Sequence, residues 1–90
     1  MVFQTRRMMS SDNQISVIVK LFADLRKYGP EKASIKLSNG STINTILDNY
    51  DIPKEKTKMI ILLNAKPIYD KQYILRDGDT VALFPPLAGG

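Results

Sequence analysis

The 90-residue chain has no cysteine, no histidine and no tryptophan. Without cysteine there are no disulfides, no thiolate nucleophile and no thiolate metal site, and without histidine there is no imidazole base or ligand. Glycine and proline are sparse at five each, so neither a collagen-like nor a low-complexity chain is indicated. No apolar run reaches the length of a membrane span, and MVFQTRRMMSSDNQ has no apolar stretch behind Arg6 and Arg7 that would make a secretory signal. A cytoplasmic chain with no membrane partner is the expectation. Any chemistry must use other groups.

What is present suits one small folded domain. Hydrophobic residues make up 43% and charged residues 24%, enough for a single core and no second domain. Thirteen Lys and Arg against nine Asp and Glu give a net charge of +4, a weak pull towards acidic partners. Residues 1–13 are polar and aperiodic and read as a flexible leader, with residues 14–90 as the domain.

Alternation from Ile15 places Ile15, Val17, Val19 and Leu21 on one face of a strand, with Ser16, Ile18, Lys20 and Phe22 on the other. ADLRKYGP reads as a short helical turn stopped by Gly29 and Pro30. SIKLS is a second strand, hairpin-like with the first, and Asn39-Gly40 ends it. Ile43, Ile46, Leu47 and Tyr50 fall at i, i+3, i+4 and i+7 behind a Ser41 or Thr42 cap, which predicts the main helix, ending before Pro53. KEKTK is a solvated connector. MIILLN, apolar on both faces, predicts an interior strand, and Ile68 lies near an edge piece where Pro67 is tolerated. Asp77-Gly78-Asp79 predicts an exposed turn before a last strand, with Val81 and Leu83 facing the core and Thr80, Ala82 and Phe84 facing away. This order gives an α+β mixed sheet with one main helix packed across it, its first and last strands central and parallel.

Few groups remain for chemistry. Asp77 and Asp79 could in principle work as an acid and base pair, but a turn explains them better. No phosphate-binding glycine motif occurs, and no metal site is expected. Nucleic acid is not an expected partner, because the basic residues lack an RNA-binding aromatic motif. The ending FPPLAGG is different. Pro85 and Pro86 lack amide donors and stiffen an exit from the sheet, and a tail of small residues can enter a narrow partner site. A carboxylate presented there needs activation, for example as a mixed anhydride with AMP, before a sulfur or amine nucleophile can displace the nucleotide.

VKLFADLRKYG, the spacing from ILLN to DGD, and DGDTVALFPPLAGG together make the chain resemble the MoaD and ThiS sulfur carriers. Within that ubiquitin-like family it most resembles the small subunits of molybdopterin synthase. The resemblance covers Ile15 to Gly90 and implies the β-grasp fold. It implies that Gly90 is adenylated by a MoeB-like enzyme of the ubiquitin-activating type that uses ATP, and converted to a thiocarboxylate with a sulfurtransferase supplying sulfur. It further implies sulfur delivery to cyclic pyranopterin monophosphate in a MoaE-like large subunit. Gly89 and Ala88 would thread the channel, with Leu87, Pro86, Pro85 and Phe84 anchoring the tail. No side chain of the chain would act as acid or base, and no tightly bound cofactor is implied.

Phe22 and Phe84 should lie at the carboxyl ends of adjacent strands, either as an exposed interface or buried under the tail or the short helix. Arg26 is similar to a family position that faces the partner. The positive net charge departs from the acidic character common among relatives. Other destinations of the same activated tail are thiamin thiazole, tRNA thiolation, and isopeptide attachment to lysines as a small protein modifier. The LFADLR insertion and the double proline favour the molybdopterin branch.

Overall fold

The computed structural model describes residues 13–53 and 58–86. The leader up to Asp12, Lys54 to Thr57 of the connector, and Leu87, Ala88, Gly89 and Gly90 of the tail lie outside the described residues. Asn13, assigned to the leader from sequence, already takes part in the sheet's periphery: its carbonyl accepts from the Asn39 N–H at 2.6 Å.

Five strands form one sheet: β1 (Gln14–Leu21), β2 (Lys32–Ser38), β3 (Ile60–Leu63), β4 (Lys66–Pro67) and β5 (Thr80–Phe84), in the order β2-β1-β5-β3-β4. β1 and β5 are central and parallel, and the other pairings are antiparallel. A 3-10 turn, Ala23–Tyr28, follows β1, and the helix α1 (Ile43–Asn49) lies between β2 and β3. This is the β-grasp arrangement expected from the sequence.

The period-two alternation of β1 works out residue by residue. Ile15, Val17, Val19 and Leu21 are buried, and with Val81, Leu83, Ile61 and the helix residues Ile43, Ile46 and Leu47 they form the core. Each such side chain, taken from water, contributes about 1.5–3 kcal/mol before entropy is counted. At the start of α1 the Thr42 N–H donates to Thr45 Oγ1 at 3.0 Å, satisfying a donor the helix leaves orphaned. Asp51, at φ 57, ends it: the Ile52 N–H reaches the Leu47 carbonyl at 3.0 Å and the Asp51 N–H reaches that of Asp48 at 3.1 Å. That is a Schellman cap with aspartate where glycine is usual.

Gly29 follows the 3-10 turn in an extended conformation, φ 170, that any residue adopts. Its need for glycine is one of space. A Cβ there would lie 2.8 Å from Cε2 of Tyr50, so the absent side chain is what lets the Tyr50 ring pack against this segment.

Two sequence expectations need correction. The Asp77-Gly78-Asp79 turn is only partly exposed: Asp79 is buried, and its carboxylate accepts from the Arg76 N–H at 2.8 Å and from Asn64 Nδ2 at 3.0 Å. Asp77 is exposed and accepts from the Ser16 N–H at 2.7 Å, clipping the turn onto β1. Nor is β3 buried on both faces. Ile61 is in the core, but Ile60 is 41% exposed, because α1 covers only one face of the sheet.

Candidate functional site: the aromatic exit of the tail

The register of the two central strands builds the site. Leu21 pairs with Leu83, so the next residues, Phe22 and the strand-terminal Phe84, emerge side by side on the face opposite α1. The Phe22 N–H extends the ladder to the Leu83 carbonyl at 3.1 Å. The two rings stack with centroids 4.2 Å apart and planes 10° from parallel. Both are half-buried. The interface and burial readings of this pair therefore meet halfway: each ring covers one face of the other, and the remaining surface stays open.

Directly after Phe22, Ala23 takes φ 54, a left-handed conformation uncommon for a residue with a Cβ. It turns the chain into the 3-10 segment, whose Leu25 is buried and anchors it. Pro85 is half-buried and Pro86 exposed. On one side they border the 3-10 segment at Asp24, Leu25, Lys27 and Tyr28. On the other they border a groove of about 590 Å³ whose floor includes Ile60, Leu62 and Phe84. Pro85 and Pro86 thus leave β5 between a helical wall and an apolar floor, with no amide donor on either to pair with the sheet.

A second, adjoining groove of about 400 Å³ is lined by Phe22, Phe84, Leu62, Ala82 and Lys20, among others. Leu62 pairs with Ala82 and Ile60 with Phe84 across β3 and β5, so these side chains share the face that carries the aromatic pair. The result is an apolar platform at the foot of the tail. Such a concave apolar surface suits a protein surface or an extended peptide more than water.

Of the residues singled out from sequence, Phe22, Phe84, Pro85 and Pro86 come together here. Arg26 does not join them: it is exposed on the 3-10 segment and pairs with Glu31 at 3.8 Å. Leu87, Ala88, Gly89 and Gly90 lie outside the described residues. Ile60, Leu62 and Lys20 were missed as site residues. Their signal was present in the continuous apolar run of MIILLN and the alternation of ISVIVK, but became meaningful only once α1 was seen to cover one face. Among the described residues there is no group of three or more carboxylates that could hold a metal ion, and no helix long and apolar enough to cross a membrane.

No curated protein sequence matches the chain. Solved structures do. A Pyrococcus furiosus protein described as molybdopterin converting factor, subunit 1, is 28% identical, with a TM-score of 0.65 over 81% of this chain and 99% of that one. Subunit 1 in the complex of subunits 1 and 2 of molybdopterin-converting factor from Helicobacter pylori is similar at 27% identity and a TM-score of 0.58, over 84% of this chain and 100% of its own. The small archaeal modifier protein 1 of Methanosarcina acetivorans is 25% identical, with a TM-score of 0.62 over 86% and 98% of the two chains. The model of the ThiS family matches residues 19–90, from the end of β1 through the aromatic platform to the double-glycine ending, and the chain belongs to the ThiS family.

Proposed function

We propose that this protein is a sulfur carrier whose Gly90 carboxylate is activated and thiocarboxylated, and that it serves as the small subunit of a molybdopterin synthase. The observation that carries the reading is the stacked Phe22–Phe84 pair set at the point where the proline-stiffened tail leaves the sheet. A carrier needs a docking surface beside a reactive end, and the apolar platform around Phe22 and Phe84 at the foot of the FPPLAGG ending supports that reading. Similarity to subunit 1 of the Helicobacter pylori complex supports a large-subunit partner for this face.

The chemistry falls on the tail. The Gly90 carboxylate attacks the α-phosphorus of ATP, releasing pyrophosphate and forming an acyl adenylate on the MoeB-like enzyme. The terminal sulfur of the sulfurtransferase's persulfide forms the C–S bond as the C–O bond to AMP breaks, and a thiol reductant then cleaves the S–S bond of the acyl disulfide to free the thiocarboxylate. The thiocarboxylate sulfur then attacks a side-chain carbon of cyclic pyranopterin monophosphate in the large subunit as that carbon's C–O bond breaks and the oxygen leaves, and a second thiocarboxylated chain supplies the other dithiolene sulfur in the same way. Hydrolysis of the acyl–sulfur bond leaves the sulfur behind and restores the carboxylate.

Similarity to a small archaeal modifier favours a second reading, in which a lysine amine displaces AMP and an isopeptide bond forms. One reconstitution separates the two. The thiocarboxylated chain, mixed with the large subunit and cyclic pyranopterin monophosphate, yields a dithiolene pterin and unmodified chain on the first reading. Lysine-linked adducts and no pterin product would support the second.

A further inference from the structure

The platform's other half is basic. On β1 and β2, Lys20 sits directly opposite Lys32, and Ser16 opposite Lys36, so three lysines share the outer face with Phe22 and Phe84. Directly opposed side chains in an antiparallel pair lie within about 5.5 Å at Cβ, and like charges there repel. Among the described residues none of the three lysines has an ion-pair partner; the ion pair nearby joins Arg26 to Glu31. The outward positions of β1, β2, β3 and β5 hold no aspartate or glutamate. Acids bordering this face are otherwise placed: Asp24 faces the groove beside Pro85, Glu31 is with Arg26, Asp77 holds the Ser16 N–H, and Asp79 is buried on Asn64 and the Arg76 N–H.

Lysines on an edge strand commonly guard against unwanted strand pairing, and β2 is an edge strand. That accounts for Lys32 and Lys36. It does not account for Lys20, which stands on the interior strand β1 and lines the aromatic groove with Phe22 and Phe84. The uncompensated stripe is therefore continuous with the apolar floor.

We infer that this face docks a protein surface on which an acidic strip borders an apolar patch, carboxylates meeting Lys20, Lys32 and Lys36 while apolar side chains meet Phe22, Phe84, Ile60 and Leu62. The inference rests on the proposed carrier function for the choice of partner, and specifies its charge. A protein fits better than a nucleic acid: the two aromatic rings are stacked on each other, and the rest of the floor is aliphatic.

The test titrates the full chain with the large synthase subunit and with the activating enzyme encoded in the same genome. Affinity for at least one should fall about tenfold or more between about 50 mM and about 500 mM NaCl. The variant Lys20→Glu/Lys32→Glu/Lys36→Glu should lose about tenfold or more at low salt, and the corresponding arginine variant should retain binding, which separates charge from folding. Unchanged affinity in the glutamate variant, or tighter binding of an RNA oligonucleotide than of either protein, would overturn the inference. Parallel intact-mass measurement keeps the two readings apart. A thiocarboxylated chain that binds without regard to the lysines retains the carrier function and sinks the acidic partner; charge-dependent binding without thiocarboxylation does the reverse.

Discussion

Asn64 joins two turns that are distant in sequence: its Nδ2 donates to the buried Asp79 carboxylate at 3.0 Å, and its Oδ1 accepts from the Thr80 N–H at 2.9 Å. The β3–β4 hairpin is thereby fixed to the start of β5, the strand that carries Phe84 and the tail. Asp79→Ala removes the acceptor for both Asn64 Nδ2 and the Arg76 N–H. A loss of about 2–3 kcal/mol is expected, read from the urea midpoint at unchanged slope.

The same hairpin offers a stabilising change. Leu63 pairs with Lys66, and the two residues between them, Asn64 and Ala65, both have positive φ, at 51 and 73. This conformation favours Asn-Gly over Asn-Ala, because a Cβ is strained at the second position. Ala65→Gly should raise stability by about 0.5–1 kcal/mol, measured as an increase in Tm.

Gly29 predicts the opposite sign. Gly29→Ala sets a methyl 2.8 Å from the Tyr50 ring and should cost about 1–3 kcal/mol. Tyr50 also supplies a pH signature. Burial raises its hydroxyl pKa above the ordinary tyrosine value, so the unfolded chain ionises first. Its contribution is fully present below about pH 10 and is lost as pH rises through the higher folded value. Tyr50→Phe should flatten that alkaline decline in a pH series of denaturation midpoints.

The aromatic pair should matter more for binding than for folding. A double-mutant cycle on Phe22→Ala and Phe84→Ala should give a stability coupling of about 0.5–1.5 kcal/mol. Phe84→Ala should weaken association with the large subunit by about 2 kcal/mol, roughly thirtyfold by calorimetry.

Elements governed by local periodicity were legible in the sequence. Ile15 to Leu21 alternate, and Ile43, Ile46 and Leu47 recur at helical spacing, so strand, helix and buried face followed from residue order alone. Features that depend on register were not. Burial of Asp79 requires Asn64, fifteen positions earlier, and the exposure of Ile60 requires knowing which face α1 covers. The opposition of Lys20 and Lys32 exists only once β1 and β2 are aligned. At the site, Phe22, Phe84 and the prolines could be placed from FPPLAGG and the strand pattern, whereas the pairing of Arg26 with Glu31 depends on how the chain turns between the 3-10 segment and β2.

The central claim is that Gly90 carries sulfur. Intact mass of the full chain, after incubation with ATP, a sulfur source and the cognate activating enzyme, tests it most directly. A gain of about 16 Da, one oxygen exchanged for sulfur, that disappears when Gly90 is deleted is the predicted result. An unchanged mass with an activating enzyme shown to be active would contradict it.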